Sequence, residues 1–288
     1  MKIKTSLRSL LLPAVIVFFN NCQKLDTLTY LPTLRPEQFL AGHHWIHISF
    51  GSGSFILNQP SSTFFVYFLS GIYLIAAYVF WKVSSDQKSR WFWSLGFLFT
   101  GIAAILAGTS YQALGYELKC QAREFCRWTT WLEIHYEILQ NVGMNGFLAA
   151  AAFTHAKKKG RTILLSYAVL NSVLYATLVL YGAITANRFL VSFEFLELSC
   201  LPSVLFFLIS TITGYKQKHN LMNFHLQNTW LFLVIIIFAY AVYLKFGFTN
   251  LLWAKGIWFS ENDVLHVGLI LWVFYILKFL PKEVKDSD

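Results

Sequence analysis

Charge is scarce in this sequence. Asp, Glu, Lys and Arg together make up 13% of its 288 residues, about half of the roughly 25% that a soluble domain carries. The shortfall coincides with long apolar runs, the pattern of a chain surrounded by lipid rather than water. Recognition loops are missing as well. There is no GxxxxGK[ST] loop, no GxGxxG fingerprint and no GxSxG elbow, so neither a phosphate cradle nor an elbow serine of those types is present. No internal repeat and no low-complexity stretch is visible. The net charge of +9 raises the question of nucleic acid. The Lys and Arg residues, however, sit in short loops between apolar runs, which fits topology and anionic lipid better than a phosphate-binding face. The expected partner is therefore the lipid bilayer and not nucleic acid. Aromatic residues reach 18%, many of them at the ends of the runs, where amphipathic rings favour the membrane interface.

The apolar runs predict an all-α integral membrane bundle of about seven transmembrane helices, over residues 63–81, 91–114, 131–153, 163–184, 189–213, 229–248 and 263–280. Each approaches or exceeds the ~20 residues that cross the hydrocarbon core. Pro202 interrupts the fifth and predicts a kink there. Short connections predict antiparallel neighbours in one bundle, the transmembrane domain 63–280. With the start of the first span outside, twelve basic residues from Lys82 to Lys285 fall inside and eight outside, and the loop 157–161 is the firmest inside marker. The expected location is a cell membrane, a bacterial inner membrane, with residues 281–288 as a cytoplasmic tail. Residues 1–22 read as a signal-like or anchor segment, with a short apolar run over 10–19. Cys22 follows it, and lipidation at that cysteine is a further alternative. Residues 23–62 are then an extracytoplasmic interfacial segment.

Cys120 and Cys126 flank a short loop placed outside, where an oxidising compartment permits a disulfide between them. Ionisable groups in a span are costly and need a reason. Glu133, Glu137, Glu194, Glu197, Glu261, Asp263 and His266 all lie towards the outer end. Glu133, Glu137, Asn141 and Asn145 recur every four residues and make one polar stripe on the third span. These positions predict an outward-opening polar cavity, joined by Ser110 and Gln112 from the second span and by Asn262 from the seventh. Catalytic candidates within it are His266, Asp263, Glu133 and Ser110; for a bound metal cation, His266, Asp263, Glu133 and Glu194. The competing reading is local. Thr130 with Glu133, and Ser260 with Asp263, both match a capping box, in which the acid serves the first turn of its own helix. Gly101, Ala104 and Gly108 make a small-residue face suited to close helix contact. His43 and His47 have the spacing to share a metal on a helix, but an interfacial amphipathic segment with Phe39, Leu40, Trp45 and Ile48 explains that stretch better.

The runs 108–120, 125–133 and 258–272 resemble a family of bacterial polytopic membrane proteins to which no activity is attached. More remotely, seven helices with a polar last helix are similar to the CREST superfamily of membrane hydrolases. That resemblance implies a zinc amide hydrolase acting on lipids, with Ser-x-x-x-His on an early helix, an Asp, and His-x-x-x-His on the last. Here Leu114 follows Ser110 and Ile270 follows His266 at the histidine positions, so Ser110, Asp263 and His266 are the residues that carry over. The favoured function is thus a membrane-embedded, hydrolase-like enzyme. A proton- or cation-coupled transporter, and a non-catalytic receptor, sensor or assembly protein, are the alternatives.

Overall fold

The structure is a computed structural model and describes residues 24–287; the apolar run 10–19 and Cys22 lie outside them. Among the described residues seven helices are long: α2 (Pro60–Lys82), α3 (Lys88–Ala107), α5 (Trp131–His155), α6 (Lys158–Thr185), α7 (Phe193–Gln217), α8 (Leu221–Lys245) and α10 (Glu261–Phe279). Three short ones accompany them: α1 (Pro36–Ala41), α4 (Gly115–Lys119) and α9 (Phe248–Trp253). The expected all-α membrane bundle is therefore what the chain forms. Local signals set the helix starts. Pro60 opens α2, where its missing N–H costs nothing. Thr130, Ser192 and Asn220 accept the N3 amides of α5, α7 and α8. Pro202 stands inside the continuous α7.

The long helices alternate in direction, so the bundle has two ends. The hairpin end carries β1 (Trp45–Phe50) and β2 (Gly53–Asn58), an antiparallel pair that turns at Gly51 and Ser52. Gly51 has φ 56°, which glycine adopts without strain. This hairpin removes the helix on which His43 and His47 could have shared a metal. Residues 46–50 alternate aromatic and β-branched residues with polar ones, the period of a strand. His43 and His47 therefore share no helix face.

Six of the long helices are long and apolar enough to cross a membrane; the exception is α5. Its polar stripe lowers its hydropathy, and its position explains how it can carry one. Fourteen of its 25 residues are buried, against five of 28 in α6. α5 packs against α3, α6 and α7, while α2–α3 and α7–α8–α10 pack in series and α10 returns to α2. Aromatic side chains fill this ring. Phe207 stacks on Trp230 at 3.9 Å between centroids, Trp93 meets Phe147 at 5.1 Å, and the Trp272 indole donates to the Thr229 carbonyl at 2.8 Å. Outward faces are apolar, as at Phe64, Val169, Leu170 and Phe238.

The opposite, tail end is closed by the C-terminal residues. Asp286 accepts the Lys88 and Ser89 amides at 2.9 and 2.8 Å, satisfying the first turn of α3. Arg90 holds the Lys282 and Val284 carbonyls, and Arg161 holds that of Ser287. The tail is thus pinned to the bundle.

Helices α3 and α5 approach each other closely through glycines. A Cβ on Gly143 would lie 2.5 Å from Thr100 Oγ1 and 3.1 Å from the Gly96 carbonyl oxygen; one on Gly146 would lie 3.0 Å from the Gly96 nitrogen. The small face at Gly101 and Gly108 instead receives Leu74 and Val66 of α2. Gly143→Leu should cost at least the ~1–3 kcal/mol typical of overpacking and lower the melting temperature in detergent. Gly71→Ala, with nothing within 4 Å of its added carbon, should leave that temperature unchanged or raise it slightly. Equal melting temperatures for the two variants would refute this packing.

Candidate functional site

Several of the polar residues singled out from sequence fall into three groups, others stand apart, and one further pocket adds residues the sequence did not mark to His43 and Glu261. The first group surrounds Glu133 in the first turn of α5. The end of α3 widens into a π-helical turn, Gly108–Ala113, a local form often found at functional positions. It brings Ser110 Oγ to 2.7 Å from Glu133 Oε1, and Lys119 Nζ reaches the same oxygen at 2.7 Å. Thr130 closes the ring: its hydroxyl lies 2.7 Å from Ser110 Oγ and accepts the Glu133 amide. With the Ser110 proton given to the carboxylate, Thr130 donates to Ser110. Lys119 also donates to the Trp128 carbonyl at 3.2 Å and lies 4.7 Å from the Tyr111 ring centre. Glu133 and Lys119 are 1% and 4% exposed, so neither charge is stabilised by water and each depends on the other.

The loop that supplies Lys119 is fixed from both sides. Cys120 and Cys126 are joined by a disulfide, and the Arg127 amide donates to the Lys119 carbonyl at 2.9 Å. Residues 24–34 strap over it. Asp26 pairs with Arg127 and Arg123, the Cys126 and Trp128 amides donate to the Leu34 and Leu28 carbonyls, and Leu25 is buried beneath. Lys119 is the residue that sequence reasoning missed. It counted there as a loop charge, although its place beside Cys120 put it within one short segment of Glu133.

The second group is the rest of the stripe. Tyr175 of α6 donates to Glu137 at 3.2 Å. Asn141 donates to Asn171 of α6 and Ser199 of α7, each at 3.0 Å, and Asn145 donates to Asn141, Asn171 and Ser172. The stripe therefore joins three helices. Third, Asp263 at the start of α10 is fully buried and accepts from Ser61 at 3.0 Å, Ser62 at 2.7 Å and the Ser260 amide at 2.6 Å. It caps its own helix and ties that end to α2.

Among the described residues no hydrogen bond or ion pair links Glu133, Glu194, Asp263 and His266 to one another. Glu194 and Glu197 are exposed. α7 starts at Phe193, so Glu194 lies in its first turn, where a carboxylate favours the macrodipole. Asn262 is half-buried. His266 Nδ1 and Gln112 Oε1 are buried without a partner. Among the described residues no three His, Cys, Asp or Glu side chains converge as a metal site, so His266, Asp263, Glu133 and Glu194 do not form the metal set considered from sequence.

The pocket lies between the segment preceding the hairpin and the connection from α8 to α10. It is a cavity of about 250 Å³, with His43, Gln59, Thr249, Asn250, Trp253 and Glu261 among its lining. Thr249 donates to Glu261 Oε2 and in turn accepts the Glu261 amide. The His43 Nδ1 proton goes to the Phe39 carbonyl at 2.7 Å. Burial lowers the His43 pKa; the Phe39 carbonyl and Glu261 oppose that, and Lys119 adds to it. Gln59 has φ 46°, a left-handed conformation that costs a non-glycine residue of order 1–3 kcal/mol, and its Oε1 is buried without a partner. Trp253 is held by His44, whose ring meets it edge-on at 4.4 Å and stacks on Trp258 at 4.9 Å.

No known family, curated protein or solved structure matches the chain.

Removing one member of a buried ion pair typically costs about 3–5 kcal/mol, while replacing both costs far less. Lys119→Met should therefore lower the melting temperature markedly, and Lys119→Met combined with Glu133→Gln should restore most of it. Equal stability of the single variant and the parent would show that Glu133 does not depend on Lys119.

Proposed function

We propose that this multi-pass membrane protein is a non-catalytic binding protein of the receptor or sensor class, and that its ligand occupies the pocket around Glu261. The hairpin end faces the exterior in this reading, and the C-terminus faces the cytoplasm. The excess of basic residues towards the tail end supports that orientation, as does a disulfide at the hairpin end, which suits an oxidising compartment.

One observation carries the reading. In the pocket, polar groups line an open cavity; at Glu133 and Asp263 the carboxylates are taken up by partners inside the fold. A hydrolase built on Ser110, Asp263 and His266 requires the three within reach of one substrate. Ser110 is engaged by Glu133 and Thr130, and Asp263 by two serines and a backbone amide.

Asn250→Trp places an indole in the cavity and serves as the blocking variant. Thermal-shift screening of the purified protein against a library of small polar metabolites should find compounds that stabilise the parent and not the blocked variant. Stabilising compounds that act equally on both, or none at all, would overturn the assignment of the pocket.

A further inference from the structure

We propose that the pocket around Glu261 takes a primary ammonium group, the head of a small amine. This rests on the reading of that cavity as the ligand site and adds the chemistry of what enters it. The inference begins with charge. Glu261 supplies the one formal charge among the lining residues, and no Lys or Arg is among them, so an anionic ligand meets repulsion with nothing to offset it.

Acceptors dominate. Among the described residues Glu261 Oε1 makes no hydrogen bond, and Thr249 donates to the other oxygen. His43 gives its Nδ1 proton to the Phe39 carbonyl, which leaves Nε2 of the neutral ring with a lone pair and no proton. Glu261 and His43 thus bring acceptors to the lining and no lining residue brings a charged donor, which suits the N–H donors of a primary ammonium. The Trp253 indole supplies an aromatic wall of the kind that attracts a cation. A zinc ion suits the set less well: it usually takes four ligands, at least three of them from the protein, and the lining offers one imidazole and one carboxylate. The volume of about 250 Å³ falls slightly below the range of drug-sized ligand sites, which favours a small molecule or a single headgroup.

A protonated amine reaches such a pocket from two sources, a free solute or the headgroup of an aminophospholipid. The test uses the full chain with three isosteric probes: ethanolamine, ethylene glycol and glycolate. Binding is read by intrinsic tryptophan fluorescence and calorimetry in phosphatidylcholine nanodiscs, with zinc ion as a fourth probe. Ethanolamine should bind saturably, and Glu261→Gln should weaken it at least tenfold. His43→Leu, which leaves the charge in place, should weaken it by a smaller factor and guards against misfolding of the first variant. Weaker apparent binding of ethanolamine when phosphatidylethanolamine is included in the nanodisc identifies the headgroup as the source; unchanged binding identifies the solute, and both support an ammonium site. Preference for ethylene glycol, glycolate or zinc, abolished by Asn250→Trp, would overturn the ammonium assignment and leave the pocket reading standing. Binding by none of the four probes would overturn the ammonium assignment as well, and the pocket itself is then judged by the library screen.

Discussion

A helix that carries two carboxylates and two asparagines on one face cannot show that face to lipid, and the bundle is arranged around this constraint. Each charged or amide group left in hydrocarbon costs several kcal/mol. α5 answers the constraint from the centre of the bundle. The glycine seam with α3 brings two backbones together on one side. On the other, Tyr175, Asn171 and Ser199 meet the stripe from α6 and α7. Between residues 136 and 154 no side chain of α5 is exposed, whereas α6 is exposed at every turn. The apolar helices thus serve as solvent for the polar one.

The same constraint acts at the hairpin end, where Glu133 emerges from the bundle. Its charge is met by Lys119, and Lys119 is held by the disulfide loop and by the strap from residue 24 onward. The hairpin is joined to this cap, since the Ile56 amide donates to Glu117 of α4 at 2.8 Å. Asp263 does comparable work for α10 and α2. These acids complete the fold, and the pocket lies beside them, where Gln59 connects the hairpin to α2.

The spans were legible because length and hydropathy are local properties, and so was the stripe, because spacing of four residues defines a helix face. Its partners were not. Asn171, Tyr175 and Ser199 look like ordinary polar residues in apolar runs until the helices are packed. The expectation of one shared cavity treated depth in the membrane as proximity. Glu133, Glu194 and Asp263 each lie in the first turn of a helix at that end; the capping boxes implied as much for Glu133 and Asp263, and only the structure shows it for Glu194. Of the pocket's lining, only His43 and Glu261 stood out in the sequence, and nothing there joined them. Its residues come from a loop, a strand end and the α8–α10 connection, and no short motif spans them.

The shielding of α5 is most directly measured by site-directed spin labelling in nanodiscs, with oxygen accessibility recorded residue by residue along 138–152 and along 163–174. Oxygen concentrates in the bilayer interior and reports contact with lipid. Uniformly low accessibility along α5, with an oscillation of about 3.6 residues along α6, is the expected result. An oscillation of the same amplitude along α5 would place one of its faces against lipid and contradict the central position assigned to it.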